Sequence, residues 1–386
     1  MATLGELAKS GGQYGVGLSS RTWRKGDPRY IRITDIRDDG NLNSDIVAPD
    51  GERQDWAKAV LHEGDLLFAR SGATVGKTYI HSAGSTPAVY AGYLIRFQVD
   101  TDRVLPRYVF RFTQSSGYRA WVASAQRAVA QPNINAKQYA ALPIPLPPLD
   151  EQRRIAAILD HADALRVKRL KLVHYFASLM QSTFHTTFGS IDAPTATVRR
   201  ARLDEMVRVS TGATPSRSEA SNYGGGIPWV KTGEVRGEIT GTEETVSEAG
   251  IKDARLRIFP VNSVVVAMYG QGTTRGRCGI LRTASAVNQA CAVLEPSSEL
   301  DSEFLLMQMQ LGYQRLRAMA RGGNQPNLNL ELVRSFEVLS APLEAQKKFR
   351  HTIEQIRVQE SIVKRQAAHL HGLFASLQSR AFSGQL

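Results

Sequence analysis

The sequence predicts an α+β chain in which one module is written twice: two mixed α/β domains in tandem, separated by a pair of long helices that form an antiparallel coiled coil. Three observations predict this. The chain repeats itself internally, two stretches carry an apolar residue every seventh position, and the rest alternates short β-rich runs with glycine-containing loops.

The repeat comes first, because everything else is read against it. Gln131-Pro132-Asn133-Ile134-Asn135 recurs as Gln325-Pro326-Asn327-Leu328-Asn329, an offset of 194. The same offset carries Pro148-Leu149-Asp150 onto Pro342-Leu343-Glu344, and Gln152-Arg153-Arg154-Ile155 onto Gln346-Lys347-Lys348-Phe349. Phe176-Ala177-Ser178-Leu179 returns as Phe374-Ala375-Ser376-Leu377 at offset 198, so the second copy has gained four residues, about one helical turn, between these anchors. Upstream, Leu4 to Leu7 matches Leu203 to Met206, Asp65 to Ala69 matches Ser263 to Ala267, and Gly72 to Lys77 matches Gly272 to Arg277.

Residues 1–148 and 200–340 are the two mixed domains. Runs such as Asp65-Leu66-Leu67-Phe68 and Ser263-Val264-Val265-Val266 read as strands, and 106–126 and 301–321 as helices. Residues 149–189 form the first long helix: the Pro147-Pro148 pair ends the preceding strand, Asp150 caps, and Gly189 stops it. Its seam is Ile158, Leu165, Leu172 and Leu179, flanked by Ile155, Ala162 and Phe176. Leu159, Leu170, Val173 and Met180 form a second apolar face available for docking other subunits. Residues 341–386 form the second helix, with the seam Ile356, Val363, Leu370 and Leu377, flanked by Phe349, Ile353, Ala367 and Phe374, and Gly384 closing it. A helix of this length spans about 55 Å at 1.5 Å per residue, too far for one small domain to cover, so each seam needs the other. A pseudo-twofold relation between the modules makes the two helices antiparallel, with the domains at opposite ends of a rod. Packing of each helix along its own domain is the alternative.

Composition bounds the partner. Lys plus Arg is 48 against 36 for Asp plus Glu, a net charge of +12, which favours a polyanion; the excess is spread along the chain and not gathered in a tail. Cys278 and Cys291 are the only cysteines, with neither the density of a disulfide scaffold nor zinc spacing, and a reducing cytoplasm is the expected location. The start lacks an export signal, and no stretch is apolar enough to span a membrane.

Three runs resemble the specificity subunits of type I restriction-modification enzymes: Pro-Leu-Pro-Pro-Leu-Asp-Glu-Gln-Arg-Arg-Ile at 145–155, the helix that follows it with Phe-Ala-Ser-Leu-Met-Gln-Ser-Thr-Phe near its end, and Ala-Met-Tyr-Gly-Gln-Gly-Thr-Thr-Arg-Gly at 267–276. The likeness covers essentially the whole chain. It departs at Ser340-Ala341-Pro342, where the first copy has a proline pair, and at Ala345, which replaces Glu151. The resemblance implies that each mixed domain is a target-recognition domain reading one half of an interrupted, asymmetric DNA site. It implies that the helices set the spacer and dock two adenine methyltransferase subunits, and that a translocating nuclease subunit joins where the system includes one. The chain itself binds no cofactor under this reading: the partners use S-adenosylmethionine, and ATP with Mg if the nuclease is present. Two related readers on a rigid spacer fit half-sites about one duplex turn, roughly 34 Å, apart.

Reading bases calls for side chains with paired donor and acceptor geometry, while phosphate contacts need only charge or an amide. In the first domain the candidates are Arg21, Arg24 and Lys25 near Trp23, and Arg70, Ser71, Thr74 and Lys77. In the second they are Thr214, Ser216, Arg217 and Lys231, and Tyr269, Gln271, Thr273, Arg275 and Arg277. The competing reading is that Gly72, Gly76, Gly272 and Gly276 simply turn a hairpin whose charges sit in solvent. Asn133, Asn135, Asn327 and Asn329 fit turn caps and DNA contacts equally well.

Catalytic motifs are missing from the sequence. Gly72 to Thr78 imitates a phosphate-binding loop but is one residue short, and the second copy replaces Lys-Thr by Arg277-Cys278. No Asn/Asp-Pro-Pro-aromatic tetrad is present to hold a flipped adenine, the histidines form no ligand set, and no nuclease cluster is evident. Two further readings stay open: a recognition subunit of a related enzyme that cuts on both sides of its site, and a DNA-binding regulator without enzyme partners.

Overall fold

The computed structural model describes residues 1–126, 133–321 and 326–386, so Gln131, Pro132 and Gln325 of the repeated motif lie outside the described residues. The chain divides into two compact units, Met1–Lys171 with Lys364–Leu386, and Leu172–Val363.

The first unit is built on a four-stranded antiparallel sheet in the order Gln13–Tyr14, Leu94–Phe97, Leu66–Ala69, Thr78–Ile80. Successive side chains of a strand point to opposite faces, and here both faces are covered, which is why the strands read as unbroken apolar runs. Leu66, Phe68, Ile95 and Phe97 pack with Tyr108, Val109 and Phe112 of the helix Pro106–Phe112, whereas Leu67, Ala69 and Leu94 pack with Tyr30, Ile31 and Tyr90. The expected helix at 106–126 is two helices, Pro106–Phe112 and Ser116–Gln126.

The second unit repeats the plan with five strands, in the order Val209–Thr211, Cys291–Leu294, Val264–Ala267, Cys278–Leu281, Gly237–Ile239; the last pair is parallel. Its helix at 301–321 is broken at Gly312 into Ser302–Leu311 and Tyr313–Ala318. A cluster of four phenylalanines, Phe184, Phe188, Phe304 and Phe349, joins both long helices to the domain, with ring centroids 4.7 to 6.1 Å apart.

The long helices run over Leu149–Phe188 and Leu343–Phe382. Within each unit they run antiparallel. In the first, Arg154 donates to the Leu386 carbonyl at 2.7 Å and the Arg166 guanidinium lies 5.0 Å from the Phe374 ring; in the second, Phe184 near the end of one helix meets Phe349 near the start of the other. Gly189 and Gly384 both adopt positive φ, +78° and +73°, as the helix stops.

Two expectations need correction. Asp150 sits inside the first turn, bonded to Arg153, and does not cap. The seam of the first helix also lies one residue over from the leucine line: Leu165 is 40% exposed, while Leu159, assigned to an outer face, is fully buried and Met180 packs on the second unit's core. In the second helix Phe349, Ile353, Val363, Ala367 and Phe374 are buried, and Ile356 and Leu377 pack against the cores, whereas the seam residue Leu370 is only half-buried.

Candidate nucleic-acid interface

In each unit two neighbouring strands of the sheet are joined by a glycine hairpin: Gly72 to Lys77 between Leu66–Ala69 and Thr78–Ile80, and Gly272 to Arg277 between Val264–Ala267 and Cys278–Leu281. Gly72, Gly76, Gly272 and Gly276 all have positive φ, between +58° and +88°. Gly76 also leaves no room for a side chain, since a Cβ there would stand 2.8 Å from Val122. A phosphate-binding loop leads from a strand into a helix, whereas this one returns to an antiparallel strand.

Both hairpins are pinned from below. In the first unit the Tyr118 hydroxyl donates to the Gly76 carbonyl at 2.9 Å, and the Gly76 N–H donates to the Tyr139 hydroxyl at 3.2 Å. In the second, Tyr313 donates to the Thr273 carbonyl at 2.7 Å, and Arg317 donates to the carbonyls of Arg275 and Gly272 at 2.7 and 3.0 Å. A loop held this way presents its tip as a fixed surface.

In the first unit Arg70 stacks on Tyr14 at 4.9 Å, donates through Nε to Asn133 at 3.4 Å, and through its backbone N–H to the Tyr93 carbonyl at 3.1 Å. Tyr14 and Tyr93 are 45% and 62% exposed, giving an amphipathic patch beside the hairpin. Thr74 turns inward to the Ser71 carbonyl at 3.0 Å, and Lys77 pairs with Asp38 at 2.9 Å. Arg21 is held bidentately by Asp27, at 2.6 and 2.9 Å, and this contact with a further bond from the Arg24 N–H lowers the Asp27 carboxyl to about 2. The side chains of Arg24 and Lys25 stand exposed next to it. Among the described residues no hydrogen bond or ion pair joins the Arg21–Lys25 segment to the hairpin.

In the second unit the structure brings Arg217 and Lys231 together on Glu244, at 2.9 and 3.2 Å, and the Arg217 hydrogen bond, followed by that of Lys231, lowers the Glu244 pKa. The Arg217 guanidinium lies 4.4 Å from the Tyr223 ring and 5.3 Å from Trp229, half-exposed and fixed in orientation. Thr214 donates to Gln289, and the next residue, Ala290, accepts from the N–H of Met268. Tyr269, Gln271 and Thr273 are exposed. Ser216 bonds Ser218 and Asp253.

Arg275 takes a different place from the one expected. Its guanidinium donates to the Pro326 carbonyl, and its Nε is buried without a partner, so it braces the hairpin and does not project from it. Arg277 folds back onto Thr273. Asn135 and Asn329 are helix caps, accepting from the N–H groups of Gln138 at 2.9 Å and Leu332 at 2.8 Å. Asn133 and Asn327 sit in bridges to Ser71 and Arg321.

The family model described as the type I restriction modification DNA specificity domain matches residues 1–172 and again 197–370. The chain belongs to this DNA specificity family. A specificity subunit assigned to the type I restriction enzyme MjaX of Methanocaldococcus jannaschii is 26% identical over 258 residues, 60% of this chain and 60% of that protein. The HindI specificity subunit of Haemophilus influenzae is 25% identical over 143 residues, 36% of this chain and 30% of its own length. The specificity chain thus matches less than two thirds of the length of these relatives. In fold it is similar to the S subunit of the type I restriction-modification system of M. genitalium, with a TM-score of 0.60, 14% identity and coverage of 98% of this chain and 95% of that one. A chain from a structure titled for complex assembly and conformational transition of the type I system gives a TM-score of 0.59, 19% identity and coverage of 100% and 97%.

The specificity chain also holds a residue pair that the sequence reading passed over. Gln152 and Gln346 are both fully buried and do the same work in each unit. Gln152 accepts from the Leu105 N–H at 2.9 Å and donates to the carbonyls of Arg103 and Pro147 at 3.1 and 2.9 Å. Gln346 accepts from Asp301 at 2.8 Å and donates to Glu299 and Ala341 at 3.1 and 2.8 Å. Their recurrence at offset 194 was the available signal.

Proposed function

We propose that this chain is the sequence-specific DNA-recognition subunit of a type I restriction-modification complex. Target-recognition domain 1 spans 1–148 and domain 2 spans 200–340, with the helices 149–189 and 341–386 setting the spacer. Each domain reads one half of an interrupted, asymmetric site. The helices dock two adenine methyltransferase subunits and, where one exists, a translocating nuclease subunit. The partners use S-adenosylmethionine, and ATP with Mg for the nuclease; this chain contributes recognition and no catalysis. A cytoplasmic location belongs to the same reading. Among the described residues no helix is long and apolar enough to cross a membrane.

One observation carries the reading: equivalent positions on a shared framework carry different exposed chemistry. The exposed Tyr269 precedes the second hairpin where the first has the half-buried Ser71, the exposed Tyr93 stands where the second unit has Ala290, and Arg70, stacked on the exposed Tyr14, stands where the second unit has the buried Met268. A framework kept while its exposed groups diverge is what two readers of different half-sites require. Selection of bound duplexes from a random pool by the chain with its methyltransferase tests this. Enrichment of two unlike half-sites at one fixed separation is expected, and enrichment of a single contiguous motif contradicts it.

A further inference from the structure

The two units fasten domain to helix with ion pairs of opposite sense. In the first unit the domain is basic and the helix acidic. Arg107 pairs with Asp160 at 2.9 Å, and Arg111 pairs with Asp160 at 2.5 Å and Asp163 at 3.0 Å, with the Arg111 side chain only 4% exposed. In the second unit the domain is acidic and the helix basic. Glu303, 8% exposed, is clasped by Arg357 of the long helix and by Arg282, and Asp301 pairs with Arg350 at 2.9 Å.

The glutamine clamps show which positions correspond. Leu105 and Asp301 give their N–H groups to Gln152 and Gln346. Two residues beyond them stand Arg107 and Glu303, and six beyond stand Arg111 and the buried Met307; eleven residues beyond the glutamines stand Asp163 and Arg357. The pairs Arg107/Glu303 on the domain and Asp163/Arg357 on the helix have changed sign together, whereas Asp160 keeps an acidic counterpart in Glu354 and the neutral clamp has stayed.

We propose that these residues form a charge code that seats each recognition domain on its own helix. Domain 1 placed on the second helix would set Arg111 against Arg357 in place of Asp163, with Glu354 taking the place of Asp160. Domain 2 placed on the first would set Glu303 near Asp163 and Asp160. Arg282 travels with domain 2 and softens the second mismatch, as Glu354 softens the first. Like charges at such depth are poorly screened by water or salt, and removing a partner leaves a charge unsatisfied. A chain carrying one domain twice therefore seats its second copy against like charge and less stably than the first. On the functional reading above, that keeps the two half-sites different; the seating itself does not depend on that reading.

The test converts the first junction into the second in the full-length chain and follows thermal unfolding, a readout that needs no DNA and so fails separately from the recognition function. Asp163→Arg alone, and Arg107→Glu with Arg111→Met alone, each lower the midpoint by about 5 °C or more. All three together recover more than half of the summed loss. Losses that simply add overturn the proposal. Because a mispaired arginine at that depth can prevent folding altogether, a milder cycle of Asp163→Asn and Arg111→Met accompanies it. There the double variant loses less than the sum of the singles, and strict additivity again overturns the proposal.

Discussion

The side chain of Gln346 accepts a hydrogen bond from the backbone N–H of Asp301 at 2.8 Å, and the same carboxamide donates to two carbonyls, so one fully buried residue ties the long helix to its recognition domain. Removing it leaves a buried donor and two acceptors unmatched. Gln346→Ala is expected to cost about 3 kcal/mol, read from urea unfolding of the full chain. Gln152→Ala should cost a similar amount, because its three bonds are the same. A cost near zero for either contradicts the clamp.

Arg217 is half-exposed, stacked on Tyr223 and Trp229, and oriented by Glu244. A guanidinium fixed in this way reads guanine well, and a good bidentate pair discriminates by about 1–3 kcal/mol. Arg217→Ala should relax one position of one half-site by about tenfold or more and leave the other half unchanged. Methylation-site mapping distinguishes this from a uniform loss of binding.

Arg24 and Lys25 are exposed beside a segment whose neighbouring Arg21 is neutralised by Asp27. We propose that they contact phosphate. Removing either should weaken binding to all duplexes alike and reduce the slope of log affinity against log salt by about one. A change in sequence preference at constant slope would argue for base contact instead.

Arg275 braces its hairpin through the Pro326 carbonyl. Arg275→Ala is therefore expected to lower stability and raise hydrogen exchange in residues 270–277. It should reduce binding of the second half-site as a whole, without altering the identity of a single base. A clean one-base change of specificity with unaltered exchange contradicts the bracing role.

Asp27 titrates at about 2 in the folded chain against an ordinary value of 3.8, chiefly because Arg21 bonds its carboxylate. A depressed folded pKa contributes stability that is fully present above the unfolded value and is lost as pH falls from about 4 towards 2. Acid unfolding of Asp27→Asn should lack this part of the pH dependence and match the parent at the bottom of that window. An unchanged acid profile contradicts it.

The duplication, the strands and the two forty-residue helices were legible because repeated words, apolar runs and glycine stops are local signals. The seam of the first helix was misplaced for a physical reason. Its inward line includes the buried Gln152 and the half-buried Asp163 and Arg166, which are satisfied by the clamp, by Arg111 and by the Phe374 ring. Apolar periodicity cannot see such residues, so Ile158, Leu165, Leu172 and Leu179 looked like the better line. The candidate loops were found by composition, but composition cannot tell a side chain that projects, such as Gln271, from one that folds back, such as Arg275 or Lys77. That distinction depends on partners far along the chain: Pro326 for Arg275, and Asp38 for Lys77.

Mapping methylated adenines at single-base resolution, in cells carrying this chain with its cognate methyltransferase and in cells lacking only this chain, tests the central claim most directly. The account predicts an interrupted, asymmetric motif that is present with the chain and vanishes without it. Methylation that persists unchanged without the chain, or no chain-dependent motif while the methyltransferase is demonstrably active, would contradict it.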